Sequence, residues 1–248
     1  MLNVGHPFPC TSCPLLACPG LRKHSQQELE YIDTFKKGEV IADRGETIVR
    51  QGSERKTLYT VLEGILIRYR SLEDGRRQIV NFMFPGDLVG LQGMFDEPAS
   101  HTVEALLPAR LCVFDHNQFF DLIVNQPRLG YDITWLGAKE ETALEEHIVA
   151  LGRRSAKERV AYLAVWLLER AIGTCMAEHE DTLKVPITQT QIADMLGLSL
   201  VHTNRTIKAL ERDGLVNWRQ GEIQVPNLDA AVDFAQFERT KMPPRPFI

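Results

Sequence analysis

The chain has 248 residues, of which 44% are hydrophobic and 25% are charged, and its formal net charge is −5. This composition is typical of a globular protein with one large or two ordinary domains. No apolar run approaches the roughly 20 residues that a membrane-spanning helix needs, and the N-terminus lacks the charged and then apolar order of a signal peptide. We therefore expect a cytoplasmic protein with no membrane partner.

The charges are unevenly distributed along the chain. Residues 1–149 carry 15 Lys and Arg against 21 Asp and Glu, whereas residues 150–220 carry 10 against 8. A locally basic region can follow the phosphate backbone of a nucleic acid even when the whole chain is acidic. Any nucleic-acid-binding region is therefore expected within residues 150–220.

The N-terminal half begins with an irregular leader and continues as strands. Residues 1–20 hold four of the 13 prolines and three of the five cysteines, and residues 21–37 have the apolar spacing of a short helix. Asp74-Gly75 is a hairpin signal, and Arg76-Arg77 beside it is expected at a solvated tip. Many short strands with glycine-rich turns predict a β-roll or jelly roll. The predicted strands are 46–50, 58–62, 65–70, 78–84, 102–106 and 110–114.

Residues 128–151 predict one long helix. A break is expected at Arg153-Arg154, because Ser155 and Glu158 have the spacing of a capping box that starts the next helix, over residues 156–171. Apolar positions of the long helix recur at roughly heptad spacing, as in a coiled coil. They include Ile133, Leu136, Leu144, His147, Ile148 and Leu151.

Residues 188–225 predict a helix-turn-helix followed by a β-wing. Thr188 and Gln191 have capping-box spacing, Gly197 supplies a tight turn, and Ser199 is a natural N-cap for a second helix. Gly214 closes that helix as a C′ residue. Residues 217–225 then read as a hairpin with Gln220-Gly221 at its tip.

The second helix has the polar and cationic side chains of a recognition helix near its N-terminus. Arg205 can bond a guanine in bidentate fashion, and Asn204 suits adenine. The alternative is an ordinary helical hairpin with a solvated polar face. The candidate DNA contacts are Thr188, Gln189, Ser199, Val201, His202, Asn204, Arg205 and Lys208.

Four cysteines form a candidate metal site. Cys10, Cys13 and Cys18 are spaced C-x2-C-x4-C, and Cys112 lies in the last predicted strand of the roll. Clustered cysteines in a reducing cytoplasm are more often metal ligands or redox groups than disulfides. Four thiolates suit an iron–sulfur cluster or a closed zinc site. The alternatives are a structural or simple thiol-redox role, with Cys112 as a small core residue; we expect Cys175 to be a bystander.

Three motifs carry a resemblance that covers about residues 21–225. They are Gly86-Asp87-Leu88-Val89-Gly90 in the roll, residues 155–161, and the recognition helix. Together they resemble the Crp/Fnr family of bacterial transcription regulators. The resemblance implies a homodimer whose long helices pair through the six heptad positions given above, a two-fold symmetric operator in double-stranded DNA, and contact with RNA polymerase. It implies a regulator and not an enzyme.

The resemblance also implies the fold and its division. The expected fold is α+β, with an N-terminal β-roll (a cupin-like jelly roll), a long dimerisation helix and a C-terminal winged helix-turn-helix. The expected parts are a Cys-rich leader at 1–20, a sensor roll at 21–126, the dimerisation helix at 127–152, the DNA-binding domain at 153–226 and a tail at 227–248. A cupin-like metalloenzyme is a remote alternative, because it would need several histidines in the roll and residues 38–114 contain only His101.

The cysteine spacing is similar to that of the oxygen-sensing Fnr branch. That resemblance implies a [4Fe–4S] cluster held by Cys10, Cys13, Cys18 and Cys112, which oxygen or nitric oxide would dismantle. Ser100-His101 stands where cyclic-nucleotide-binding members have an Arg-Ser pair. Without that arginine the position offers no charge-assisted hydrogen bond to a phosphodiester, so we expect no cyclic nucleotide. Val201 stands where many members have a base-reading Glu, so the usual half-site is not expected.

Overall fold

The computed structural model describes residues 3–5, 8–54, 57–95, 97–177, 179–239 and 243–248. Residues 1, 2, 6 and 7 of the predicted leader, and 240–242 of the predicted tail, lie outside the described residues. Among the described helices, none combines the length and apolar character that crossing a membrane requires.

The leader is irregular, as predicted, and the first α-helix is shorter than expected. Two 3-10 turns, Cys10–Ser12 and Pro14–Ala17, are followed by α1, Gln26–Phe35. Ser25 caps α1 by accepting a bond from the Glu28 N–H, and the Glu28 carboxylate accepts one from the Ser25 N–H at 2.7 Å. Lys36 already belongs to a strand, so the predicted helix over 21–37 was too long at both ends.

The predicted β-roll is confirmed as two antiparallel sheets. The strands are β1 Asn3–Gly5, β2 Lys36–Ala42, β3 Thr47–Val49, β4 Thr57–Glu63, β5 Leu66–Ser71, β6 Arg77–Met83, β7 Leu88–Val89, β8 Thr102–Ala105 and β9 Ala109–Asp115. One sheet has the strand order β1-β2-β9-β4-β7 and the other β3-β8-β5-β6. The strand β2 was missed because Gly38 weakened its β signal, and pairing with β9 overrides that local preference.

Strand β9 separates two apolar cores. Leu111 and Val113 face the interior of the roll, where they pack with Val61 of the same sheet and with Leu66 and Val103 of the other sheet. Since successive side chains of a strand point to opposite faces, Cys112 and Phe114 face the helices and the leader instead. The strand thereby delivers one cysteine of the roll to the place where the N-terminal leader packs.

The long helix α3, Pro127–Arg153, follows a short helix α2, Phe119–Asn125. Three of the predicted dimer residues, Ile133, Leu136 and His147, are buried inside the protomer at 3–5% exposure, which corrects the predicted dimer surface. Ile133 packs in the leader core, and the His147 ring packs edge-on against Trp166 at 5.1 Å. Apolar spacing shows that a stripe is buried, and here the roll and the DNA-binding domain bury it.

The C-terminal part is a winged helix-turn-helix, as predicted. Helix α7 packs along α4, so residues up to 235 belong with this domain and the predicted boundary at 226 falls too early. The wing has a third strand, β10, which pairs with β12. The elements are α4 Ala156–Gly173, β10 Thr182–Lys184, α5 Gln189–Leu196, α6 Leu200–Arg212, β11 Asn217–Arg219, β12 Glu222–Gln224 and α7 Leu228–Ala235.

The roll and the DNA-binding domain share one continuous apolar core. Phe84 of the roll meets Trp166 of α4 edge-on at 6.1 Å. The β5–β6 hairpin rests on α5, where Arg77 Nε donates to the Asp194 carboxylate at 2.7 Å. Arg77 therefore holds the two domains together and is not at a solvated tip; Arg76 is exposed there beside Asp74.

Residues 243–248, named here the returning segment, run back from the DNA-binding domain to the leader. The Arg22 N–H donates to the Arg245 carbonyl and the Arg245 N–H to the Gly20 carbonyl, both at 2.8 Å. Phe247 and Ile248 are each 3% exposed and lie in the leader core. The returning segment thus completes the packing around the leader from the far end of the chain.

Candidate DNA-binding surface and cysteine site

Local hydrogen bonds set the helix-turn-helix as the sequence predicted. Thr188 and Gln191 form the reciprocal capping box at the start of α5. Gly197 has a left-handed φ of 62°, which a side chain rarely adopts, and Ser199 caps α6 by accepting from the His202 N–H at 3.2 Å. These contacts fix the angle at which α6 leaves α5.

One face of α6 is buried and the opposite face is open. Thr203, Ile207 and Leu210 are at most 4% exposed and anchor the helix to the domain. Val201 is 64% exposed, a large value for an apolar side chain. The predicted contacts Thr188, Ser199, His202, Arg205 and Lys208 are also exposed.

Asn204 and Gln189 are bonded to each other. The Asn204 side-chain amide donates to the Gln189 Oε1 at 3.0 Å, which joins α6 to α5. Reading a base with Asn204 requires this bond to break, so Arg205 is better placed for direct readout. The wing lies beside α6 and is tied to it by an Arg219–Glu211 ion pair.

Three of the four predicted cysteine ligands line one small cavity. Cys10 and Cys13 come from the leader and Cys112 from β9, while Phe247 and Ile248 of the returning segment close the cavity. Its volume is about 10 Å³. The leader is held in place because the Cys10 N–H donates to Asp33 Oδ1 at 2.8 Å.

Burial dominates the electrostatics of these thiols. It raises the pKa of Cys112 to about 12 and also raises the pKa values of Cys10 and Cys13. The Lys36 ammonium lowers the pKa of all three, but less than burial raises it. The thiols are therefore protonated at neutral pH, and a metal would have to displace their protons.

Cys18 is in the same core but does not line the cavity. Burial and then a hydrogen bond with the Cys175 thiol raise the pKa of Cys18 to about 12. Cys175, which we expected to be a bystander, therefore adjoins one of the predicted ligands. The two residues are far apart in sequence, and no local pattern could have paired them.

These residues fit an iron–sulfur cluster in donor chemistry but not in space. Four thiols in one apolar core, beside a lysine, are a donor set suited to iron. A cavity of about 10 Å³ holds at most a water molecule. A cluster therefore requires the leader or the returning segment to move outward, and Cys18 to leave Cys175.

The roll contains a larger cavity, of about 580 Å³. Both arginines that line it are paired: Arg68 with Glu140 at 2.5 Å and Arg245 with Asp87 at 2.8 Å. Burial, followed by Arg68 and Arg70, lowers the pKa of His101 to about 4, so its ring is neutral at pH 7.

A sensor roll, a long helix and a winged helix-turn-helix with an open polar helix define a DNA-binding transcription regulator. Residues 39–126 match the cyclic nucleotide-binding domain family, and residues 158–230 match the Crp-like helix-turn-helix domain family. The chain belongs to the Crp/Fnr family, whose members are regulators and not enzymes; they bind DNA and act as dimers.

Several relatives share nearly the whole chain. It is 32% identical to the nitrogen fixation regulation protein FixK of Bradyrhizobium diazoefficiens, over 87% of this chain and 89% of that protein. It is 28% identical to the transcriptional activator protein FnrL of Cereibacter sphaeroides, over 84% and 83% of the two chains. The solved structure of FixK2 from Bradyrhizobium japonicum is 25% identical and superposes with a TM-score of 0.68, over 79% of this chain and 96% of that one.

Proposed function

We propose that this protein is a cytoplasmic, homodimeric regulator that binds a two-fold symmetric operator through α6 and responds to oxygen, nitric oxide or redox state at its cysteines. The observation that carries the proposal is the convergence of Cys10, Cys13 and Cys112 on one cavity. RNA polymerase is the proposed protein partner, as for a regulator of this family.

An exposed stripe on α3 supports the homodimer. Its members recur at intervals of three or four residues, which is the spacing of a coiled-coil surface. Tyr131 and Ile148 are 63% and 67% exposed, which leaves large apolar side chains for a partner to cover. The stripe is formed by Tyr131, Thr134, Ala138, Glu141, Glu145 and Ile148.

The same stripe also carries charges that would weaken the pairing of the two helices. Glu141 and Glu145 would face their copies in a parallel pair, and like charges weaken such pairing. Ile133, on the inner face of α3, belongs to the same core as Cys10 and Leu15 of the leader. A movement of the leader would therefore change the packing of α3, the helix that is proposed to dimerise.

Cys10, Cys13, Cys18 and Cys112 are the residues that would hold a [4Fe–4S] cluster, and such a cluster, when bound, supplies a centre that oxygen or nitric oxide destroys. The leader supplies three of these thiols and β9 the fourth, so holding them together fixes the leader on the sheet. Without a cluster the leader packs with Leu15 1% exposed in the core that it shares with α3, so binding a cluster would shift the leader relative to α3. Loss of the cluster would reverse that shift, weaken the dimer and lower its affinity for DNA.

A cyclic nucleotide is not the proposed effector. Each of the two arginines of the roll cavity is already ion-paired, Arg68 with Glu140 and Arg245 with Asp87, and His101 is uncharged at pH 7. A phosphodiester would therefore meet no free cation among the described residues that line the cavity.

The decisive experiment is purification of the protein without oxygen, followed by measurement of iron, acid-labile sulfide and the visible spectrum. We expect about four iron atoms per protomer, as for a [4Fe–4S] centre. Cys112→Ala should abolish the chromophore, while Cys175→Ser, which lies outside the proposed ligand set, should keep it. Colourless protein with negligible iron after anaerobic reconstitution would refute the cluster. A full cluster in Cys112→Ala would remove Cys112 from the ligands.

A further inference from the structure

A second pair of thiols lies where the leader meets the DNA-binding domain. Cys18 follows the second 3-10 turn of the leader, and Cys175 follows the last residues of α4. Burial and then the neighbouring Cys175 thiol raise the pKa of Cys18, so the two side chains adjoin. Cys18 is only 4% exposed, whereas Cys175 is exposed.

The backbones on either side of this pair are in direct contact. The Gly20 N–H donates to the Gly173 carbonyl at 2.9 Å. A Cβ on Gly20 would lie 2.6 Å from the Gly173 Cα, so no side chain fits between the two segments. This contact, two residues from each cysteine, holds the two backbone segments that carry the thiols against each other.

The conformation of Cys175 is also unusual. Its φ is +61°, a left-handed value that residues other than glycine seldom adopt. The preceding turn holds it there, because Thr174 Oγ1 donates to the Arg170 carbonyl at 2.8 Å and the Met176 N–H donates to the Ala171 carbonyl at 2.8 Å. Such a strained, exposed cysteine beside a second thiol is a typical redox position.

We propose that Cys18 and Cys175 form an intramolecular disulfide when the protein meets a peroxide. The exposed Cys175 sulfur attacks first: its bond to one peroxide oxygen forms, the O–O bond breaks, and water leaves after protonation. The Cys18 sulfur then attacks the Cys175 sulfenic acid, the S–S bond forms, the S–O bond breaks, and the Cys18 proton leaves with the hydroxide as water. Two thiols and one hydrogen peroxide give one disulfide and two waters.

The order of attack follows from burial. Cys18 is only 4% exposed, so peroxide dissolved in water does not reach its sulfur. Cys175 is the thiol that solvent reaches, and Cys18 is held beside it to resolve the sulfenic acid.

The disulfide would also remove one thiol from the set that could hold a cluster at the cysteine cavity, a consequence that rests on the proposed function. The Cys18 thiol can be a ligand at the Cys10–Cys13–Cys112 site or can bond to Cys175, but it cannot do both. Oxidation would pin the leader to the end of α4 and withhold one ligand from a cluster.

The test uses the full-length, metal-free protein with all five cysteines. Reduced protein is treated with hydrogen peroxide, blocked with N-ethylmaleimide, digested and analysed by mass spectrometry without reductant. We expect a cross-linked peptide joining Cys18 to Cys175 and a fall from five free thiols to three. Cys112→Ser should form the same cross-link, whereas Cys175→Ser should not.

A link from Cys18 to Cys10 or Cys13, or Cys175 oxidised with no link, would overturn the inference. The effect on the cluster is measured separately, by anaerobic reconstitution with iron and sulfide after peroxide treatment. Wild-type protein should lose most of its iron uptake and Cys175→Ser should retain it; equal uptake by the two proteins would overturn the competition for Cys18. A cross-link in protein that never takes up iron refutes the cluster alone, and iron uptake with no cross-link refutes the disulfide alone.

Discussion

Arg205 is the side chain on which we expect specific DNA recognition to depend most. It lies near the start of α6, is exposed, and has a guanidinium able to donate two bonds to a guanine edge. Arg205→Ala should cost about 1–3 kcal/mol of discrimination, a loss of about 5- to 150-fold in specific affinity. Fluorescence anisotropy on an operator selected from random duplexes, compared with a scrambled duplex, measures the loss.

Arg212→Ala is the matched control, because Arg212 is an exposed arginine in the last turn of the same helix. It should lower affinity for both duplexes slightly and equally, as expected when only a long-range charge is removed. Unchanged specific binding in Arg205→Ala would show that α6 is not the recognition helix.

Residue-scale predictions succeeded where the cause was local. The caps at Thr188 and Ser199 and the turn at Gly197 depend on neighbours within a few positions, so the sequence contained what was needed. The bond between Asn204 and Gln189 and the pairing of Cys18 with Cys175 depend on how two segments meet in space. Neither has a sequence pattern that could indicate it.

The returning segment is the element that covers the cysteine cavity. Phe247 is 3% exposed and lines the cavity, and burial of such a ring is worth about 1.5–3 kcal/mol. Phe247→Ala should let the segment detach more often, and alkylation of Cys112 should become about 10- to 100-fold faster, since 1.4 kcal/mol is a factor of ten. The rate is followed by mass spectrometry under native conditions.

Phe120→Ala is the control for this prediction, because Phe120 is 71% exposed and does not line the cysteine cavity. It should leave the alkylation rate of Cys112 unchanged. An unchanged rate in Phe247→Ala as well would mean that the returning segment does not limit access to Cys112.

The helix α3 shows the limit of prediction at the scale of elements. Its length and its end near Arg153 followed from the spacing and from the Ser155 capping box, which forms as expected. The proposed dimer surface could not be located from the sequence, because heptad spacing identifies buried positions without identifying the element that buries them. Ile133 and His147 are buried within the protomer, and the exposed stripe through Tyr131 and Ile148 is displaced around the helix.

At the scale of the whole molecule, Asp87 joins three parts of the chain. Its carboxylate accepts from the Phe84 N–H at 2.8 Å in the roll, from Arg170 of α4 at 2.6 Å, and from Arg245 of the returning segment at 2.8 Å. Asp87→Asn leaves two largely buried guanidinium groups without their counter-charge, which should cost about 3–5 kcal/mol of unfolding free energy. Asp74→Asn, which removes an exposed pair with Arg76, should cost less than about 1 kcal/mol.

The pH dependence of this effect has a definite sign. Burial raises the pKa of Asp87, but Arg170 and Arg245 outweigh burial and hold that pKa below its ordinary value. A depressed carboxyl pKa contributes stability above the unfolded pKa of about 3.9, and this stability is lost as pH falls through the folded pKa. Urea unfolding at several pH values measures this effect. The difference in unfolding free energy between wild type and Asp87→Asn should be largest at pH 7 and should decrease as the pH falls into the acid range. A difference that does not change with pH would mean that Asp87 acts without its charge.

The position of the returning segment in the chain also sets the order in which the residues around the cysteine cavity are synthesised. During synthesis, the leader cysteines and Cys112 leave the ribosome more than one hundred residues before Phe247 and Ile248. A nascent chain can fold the roll around its thiols while the groups that close their cavity do not yet exist. The thiols of the cavity are therefore open on the growing chain and become covered once the returning segment has packed, so the cluster proposed above would be inserted most easily before Phe247 and Ile248 are synthesised.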